Sequence, residues 1–183
     1  MKGGRRAIVG VMGSGVEPWQ RYAWPLGHWL ASAGVHLLTG GGRGAMAAVC
    51  QSYRAGTQQM APGTHGLSVG LLPVAGPGQL EPPHGYPNDW VDLPVRLPLE
   101  AFDPQRPEAV NRNWANVLTA DVVVALPGGE GTRDEIALAR RFGKPLALFG
   151  PLEHFGGLPP EIPHFESLEG LTGWLERQLR SCA

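Results

Sequence analysis

Three glycine-rich segments stand directly after short apolar runs, where a strand would turn into a helix. They are Gly13-Ser14-Gly15, Gly40-Gly41-Gly42-Arg43-Gly44 and Pro127-Gly128-Gly129-Glu130-Gly131-Thr132. Glycine lets backbone N–H groups approach an anion closely, and a helix N-terminus behind the turn adds about half a positive charge. A single glycine-rich turn can equally well serve only to connect a strand tightly to a helix. Each turn, taken by itself, therefore also fits a purely structural role. Three at the carboxyl edge of a parallel sheet predict an anion-binding crevice.

The spacing of the glycines argues against two common nucleotide sites. The dinucleotide fingerprint is Gly-x-Gly-x-x-Gly with an acidic residue near the end of the second strand. Pro18 stands where the third glycine belongs, and no Asp or Glu occurs between Pro18 and Leu80. The second segment also lacks the Lys-Ser/Thr ending of a P-loop. The sequence therefore favours a single phosphate or a similarly compact anionic ligand.

Short apolar runs alternate with helical periodicities along the chain, and these elements must position the turns. Predicted strands cover residues 7–12, 35–39, 67–72, 122–126 and 146–149, with a weaker candidate at 90–95 that Pro94 interrupts. Predicted helices cover residues 19–33, with a kink or late start at Pro25, and 45–55, 108–118, 132–142 and 168–179. The alternation predicts an α/β, three-layer Rossmann-like fold with a mainly parallel central sheet. We expect one domain over residues 1–183, with residues 73–88 as one long loop.

Composition excludes several classes of protein. Of the 183 residues, 43% are hydrophobic and 17% are charged, as in globular proteins and unlike disordered chains. The formal net charge of −1 does not fit the basic footprint of a nucleic-acid-binding protein. No apolar run approaches the roughly 20 residues that span a bilayer. The two cysteines, Cys50 and Cys182, suit a reducing cytoplasm, and the six histidines show no metal-ligand spacing.

Residues 127–135, Pro-Gly-Gly-Glu-Gly-Thr-Arg-Asp-Glu, resemble the Pro-Gly-Gly-x-Gly-Thr-x-x-Glu signature of the Lonely Guy family. Its members are cytokinin riboside 5′-monophosphate phosphoribohydrolases, often mislabelled lysine decarboxylases. Residues 40–46 are similar to the second glycine-rich loop of that family, and Arg112 stands at the family's spacing before the signature. The resemblance implies that Glu135 is the catalytic carboxylate, that Arg112 makes a charged contact in the site, and that no metal or cofactor is required.

The turns and the resemblance together define the predicted ligand- and phosphate-binding residues. They are Gly13, Ser14, Gly41, Gly42, Arg43, Met46, Pro127, Gly128, Gly129, Gly131 and Thr132.

Other segments resemble a second branch of the same superfamily, the molybdenum cofactor carrier proteins and their bacterial relatives. These segments are residues 90–95, 111–113, 136–139 and 143–145. Residues 110–113, Val-Asn-Arg-Asn, also replace the Met-His-Glu-Arg-Lys motif of the phosphoribohydrolases. The second resemblance implies an oligomeric binding protein, a homodimer or homotetramer, with molybdenum cofactor as bound cargo.

Two functions therefore stand side by side. The first is a carrier-like protein that binds a phosphorylated nucleotide-type or molybdopterin-type ligand. The second is an N-glycosidic hydrolase that releases a free base and ribose 5-phosphate from nucleoside monophosphates.

Two of the predicted residues also have a structural interpretation. Thr132-x-x-Glu135 fits a capping box, in which the threonine caps the helix and the glutamate reaches back to its amide. Arg112 lies opposite an apolar stripe of its helix, which would leave it solvated. The members of that stripe are Val110, Trp114, Val117 and Leu118.

Overall fold

The computed structural model describes residues 5–61 and 63–181, so Cys182 lies outside the described residues. Those residues form one seven-stranded sheet in the order β4-β3-β2-β1-β5-β6-β7, with every neighbouring pair parallel. The strands are β1 (Ile8–Met12), β2 (His36–Thr39), β3 (Ser68–Val74), β4 (Leu93–Glu100), β5 (Val122–Ala125), β6 (Leu146–Phe149) and β7 (His164–Phe165). The predicted parallel α/β architecture is confirmed.

In the described part of the chain, five α-helices connect and cover the strands. They are α1 (Gln20–Ser32), α2 (Ala45–Thr57), α3 (Arg112–Thr119), α4 (Glu130–Arg141) and α5 (Leu168–Arg180), with a single 3-10 turn at Leu152–Phe155. Within the described ranges, no helix combines the length and the apolar character needed to cross a lipid bilayer.

The three layers follow from the period of two in the buried strands. In β5, Val122 and Val124 join the core cluster that contains residues of α1, α2 and α5. Their neighbours Val123 and Ala125 join the cluster that contains residues of α3 and α4. Because successive side chains of a strand point to opposite faces, a strand apolar on both faces must be covered twice.

Some element predictions are corrected by the structure. The weak strand candidate at 90–95 forms as β4 over Leu93–Glu100, and it tolerates Pro94 and Pro98 because it is an edge strand. Helix α1 begins at Gln20 and continues through Pro25, so the late start is wrong. The two-residue strand β7 is too short to produce a periodic signal in the sequence.

Two helix starts near the predicted site are also corrected. Helix α3 begins at Arg112 rather than at residue 108, because the Asn111 side chain accepts a 2.8 Å hydrogen bond from the amide of Asn113 and caps the helix. Helix α4 begins at Glu130, two residues earlier than predicted, with Gly129 as its N-cap.

Candidate ligand-binding site

The turns after β1, β2 and β5 lie side by side, because these strands are neighbours in the sheet. The Ser14 amide donates to the Pro127 carbonyl at 3.1 Å, and the Ala45 amide donates to the Ser14 carbonyl at 2.9 Å. The sheet order also switches direction between β1 and β5, and open α/β sheets form crevices at such a point. The three glycine-rich turns thus meet at one edge, as the sequence predicts.

A cavity of about 470 Å³ lies between these turns and the segment that follows β4. This volume falls in the range typical of small-molecule sites. Its lining brings together eight of the predicted site residues: Gly13, Ser14, Met46, Arg112, Gly129, Gly131, Thr132 and Glu135. It also contains residues that the sequence analysis did not select, among them Tyr86, Phe102, Asn113 and Glu130.

The start of α4 presents open backbone amides to this cavity. The first hydrogen bond at the helix start runs from the Arg133 amide to the Gly129 carbonyl at 3.1 Å, and no side chain caps the helix. The amides of the first turn therefore have no partner within the helix. A Cβ atom added at Gly129 or Gly131 would meet no other atom within 4 Å, so the backbone there faces open space.

The capping-box interpretation of Thr132 and Glu135 is wrong. Because Gly129 is the N-cap, Thr132 is the third residue of α4 and Glu135 is the sixth. Both side chains are buried and line the cavity. Neither side chain therefore caps the helix, although their spacing suggested this.

Arg112 is buried, with a relative exposure of 7%, so the solvated interpretation is also wrong. Its Nη1 donates to the Leu71 carbonyl in the middle of β3, at 3.3 Å. The guanidinium packs on Gly40, where any Cβ atom would collide with it. Its Nε atom is buried and has no partner among the described protein atoms. A buried cation thus lines the cavity.

Glu135 lies in the same cavity and is equally buried. Its Oε1 accepts a 2.8 Å hydrogen bond from Asn116 Nδ2. Burial raises the pKa of the carboxyl group to about 7, despite the opposing effects of the Arg112 charge and the Asn116 hydrogen bond. The group therefore gains or loses its proton near neutral pH.

Helix α3 buries a polar face that the sequence analysis missed. Of the expected apolar stripe, Val117 is buried but Val110 and Leu118 are 61% and 51% exposed, whereas Asn113 and Asn116 are buried. Asn113 Nδ2 donates to the Asp134 carboxylate at 2.9 Å and to the Gly131 carbonyl at 3.2 Å, so it braces the start of α4. Two asparagines three residues apart inside a helix could have indicated this buried polar face, since Asn is unfavourable inside a helix unless its side chain has a partner.

Five predicted site residues lie outside the cavity lining: Gly41, Gly42, Arg43, Pro127 and Gly128. A Cβ atom at Gly128 would lie 3.0 Å from the Ser14 amide nitrogen, so this glycine allows the first and third turns to touch. Arg43 contacts His84, with 3.3 Å between Nη2 and Nδ1, on the surface. For these five residues a part in ligand binding stays a prediction.

The second glycine-rich turn is covered by the long loop that follows β3. The Asn88 amide donates to the Gly41 carbonyl and its Nδ2 donates to the Gly42 carbonyl, both at 2.8 Å. A Cβ atom at Gly42 would lie 2.7 Å from the Tyr86 hydroxyl oxygen. Gly42 therefore makes room for the Tyr86 ring, whereas Gly41 allows the turn to approach Gly70 and Leu72 of β3.

Comparison with known proteins adds a family and a set of related structures. The profile of the SLOG cluster4 family matches residues 6–167. The molybdenum cofactor binding protein of the phototrophic bacterium Rippkaea orientalis is 31% identical, with a TM-score of 0.69 over 94% of this chain and 97% of that one. The molybdenum cofactor carrier protein of Chlamydomonas reinhardtii is 28% identical, with a TM-score of 0.72 over 96% of this chain and 99% of that one. No curated protein matches the chain by sequence. These matches confirm the predicted resemblance.

Proposed function

Because this chain belongs to the SLOG cluster4 family, we propose that it is a binding protein for a small phosphorylated ligand of nucleotide or molybdopterin type. The similar proteins of Rippkaea and Chlamydomonas make molybdenum cofactor the first cargo to test. One observation carries the proposal: the open amides at the start of α4 and the buried Arg112 line the same cavity.

The chemistry of these groups suits a phosphate. Backbone N–H groups at a helix N-terminus carry no net charge, yet they bind an anion by donating hydrogen bonds to it. The buried guanidinium of Arg112, which lines the same cavity, adds a fixed positive charge. Gly129, Gly131 and Thr132 would hold the phosphate. Gly13, Ser14 and Met46, which follow β1 and β2, would form the opposite wall of the cavity.

The test replaces Gly129 by valine and measures the affinity for ribose 5-phosphate and for molybdenum cofactor released from a purified molybdoenzyme. The side chain enters open space, so the variant folds, but it occupies the position of the phosphate. We expect the affinity to fall about tenfold or more, since several hydrogen bonds are lost at once.

The matched control is Gly156→Ala, a surface glycine where an added Cβ atom also meets nothing within 4 Å. This variant should bind as the parent does. Unchanged affinity in a folded Gly129→Val protein would overturn the proposed phosphate site.

A second candidate function is favoured by the environment of Glu135. A carboxyl group with a pKa of about 7, beside a buried arginine, suits proton transfer near neutral pH. The same site would then cleave the N-glycosidic bond of a nucleoside 5′-monophosphate. The reaction would take up water and release a free base and ribose 5-phosphate.

Incubation with a panel of nucleoside monophosphates distinguishes the two candidates. Release of free base that Glu135→Gln abolishes, with binding retained, would establish the hydrolase. Binding without any product in the parent protein would leave the carrier as the function.

A further inference from the structure

The cavity that we propose for a phosphate also contains a buried carboxyl group, that of Glu135. Gly131 and Glu135 stand about one turn apart on α4, and both line the cavity. The rise of the helix puts them about 6 Å apart along its axis. Because the Cα–Cβ bonds of a helix tilt towards its N-terminus, the Glu135 side chain leans towards the open amides. A negative charge on Glu135 would therefore repel a phosphate held there.

The protein offers little to stabilise that negative charge. Glu135 takes part in none of the ion pairs formed by the described residues. Its hydrogen-bond partner is the neutral side chain of Asn116, which donates to one carboxylate oxygen at 2.8 Å. An ionised carboxylate that has lost its hydration is costly under these conditions, so burial favours the protonated form and raises the pKa.

The protonation of Glu135 changes the net charge that the cavity presents to a ligand. The Arg112 guanidinium lines the same cavity and stays positively charged at any ordinary pH. When Glu135 is ionised, the charges of the two buried side chains cancel. When Glu135 is protonated, the positive charge of Arg112 acts on the phosphate without opposition.

The other titratable groups around Glu135 do not replace it in this role. Glu130 lines the cavity but is exposed, so its carboxylate remains hydrated. Tyr86 contributes a phenol, which carries no charge near neutral pH. Asp134 lies outside the cavity lining, and its carboxylate accepts a 2.9 Å hydrogen bond from Asn113. Glu135 is thus the buried carboxyl group that faces the ligand.

We propose that the site binds a proton together with the phosphate, with Glu135 as the proton acceptor and Asn116 as the residue that positions its carboxyl group. The proton comes from solvent and is bound by a carboxylate oxygen of Glu135. This inference rests on the proposed phosphate site and adds how its affinity is regulated: the ligand is held at neutral and lower pH and released as the pH rises. The coupling is reciprocal, so a bound phosphate also strengthens proton binding by Glu135.

Titration with ribose 5-phosphate between pH 6.5 and pH 8.5 tests the proton site. In the parent protein the affinity should fall about tenfold over this range, because only the protonated fraction binds well. Glu135→Gln keeps the shape of the side chain and an oxygen for Asn116 but carries no charge, so it should bind tightly throughout. The phosphate group, with its own pKa of about 6, titrates equally in both experiments and cancels in the ratio of the two affinities.

The matched control is Glu130→Gln, which removes an exposed carboxylate from the same cavity. This variant should change the affinity by one constant factor and keep the pH dependence of the parent. Asn116→Leu tests the positioning residue. Loss of its hydrogen bond disfavours the ionised carboxylate, so the midpoint of the pH dependence should move to higher pH. A purely structural role for Asn116 would leave this midpoint in place.

Calorimetry of the parent protein gives a second readout that needs no variant. Titrations at pH 7.5 in two buffers of different ionisation enthalpy count the protons taken up with the ligand. We expect about half a proton or more per ribose 5-phosphate bound. If the ligand binds without proton uptake, and the parent and Glu135→Gln show the same pH dependence, only the proton site is overturned. If the ligand binds at no pH, the proposed function fails and the proton site fails with it.

Discussion

The side chains of Glu135, Arg112 and Asn116 form a buried polar group beside the cavity. Arg112 offers a positive charge, and Asn116 donates to one carboxylate oxygen of Glu135. Burial still dominates, because both partners offset only part of the lost hydration of the carboxylate. The protonation of Glu135 should therefore change the stability of the protein within an accessible pH range.

This prediction concerns the free energy of unfolding between pH 5 and pH 8. The folded protein binds the Glu135 proton with a pKa of about 7, compared with 4.5 for a glutamate carboxyl group exposed to water. The folded state thus keeps a proton that the unfolded state has lost, so stability falls as the pH rises through this window. The loss is up to about 3 kcal/mol. Urea unfolding of the parent and of Glu135→Gln at several pH values measures it.

Comparison with Glu135→Gln removes the contribution of all other titrating groups. The parent should lose stability relative to the variant on going from pH 5 to pH 8. Parallel curves for the two proteins would mean that Glu135 titrates at an ordinary pKa in the folded state.

Among the helices, α1 and α2 approach each other so closely that glycine is required between them. A Cβ atom at Gly27 would lie 2.5 Å from the Val49 carbonyl oxygen and 2.9 Å from the Ser52 Cβ atom. Alanine favours helix formation over glycine, so propensity and packing make opposite demands at this position. Packing decides, since the obstacle is backbone of α2 rather than a flexible side chain.

Gly27→Ala should therefore lower the free energy of unfolding, by about 1–3 kcal/mol as overpacked core substitutions do. The matched variant is Gly173→Ala in α5, where the added Cβ atom lies 3.8 Å from the Arg177 side chain and meets no other atom within 4 Å. It should raise the free energy of unfolding by about 0.5–1 kcal/mol. Urea unfolding of both variants gives the two values, and a stabilised Gly27→Ala protein would contradict the close approach of α1 and α2.

The element predictions succeeded where the pattern was local. Buried parallel strands are continuous apolar runs, so β1, β2, β5 and β6 are placed within a residue or two. Helix α3 was misjudged because a 3.6-residue pattern shows which side chains share a face but not which face is covered. Its covered face carries Asn113 and Asn116, whose burial depends on partners in α4.

For the whole molecule, we propose one domain over residues 1–183, since the strands of the described part join into one sheet with a core on each face. We also propose a homo-oligomer. Trp24 of α1 is 39% exposed, and a groove beside it is lined by Trp29 and Leu168. Apolar surface of this kind on a globular protein often marks an interface.

Trp24→Glu should shift the protein towards the monomer, because a charge in an apolar interface must lose its hydration without a partner. Sedimentation velocity measures the mass of the assembly for the parent and the variant. Leu80→Glu, a charge placed on an exposed apolar residue of the long loop, should leave the assembly unchanged. A monomeric parent protein would contradict the proposed interface.

The sequence by itself determined the parallel sheet, the three glycine-rich turns and the Pro-Gly-Gly-x-Gly-Thr-x-x-Glu signature, because each depends on residues close together in the chain. Only the tertiary structure decided which of those residues share a cavity. It placed Gly42 against Tyr86, buried Arg112 against Gly40, and gave Glu135 its partner Asn116. These contacts join residues far apart in the chain, and they arise from the order of the strands in the sheet, which local patterns do not encode.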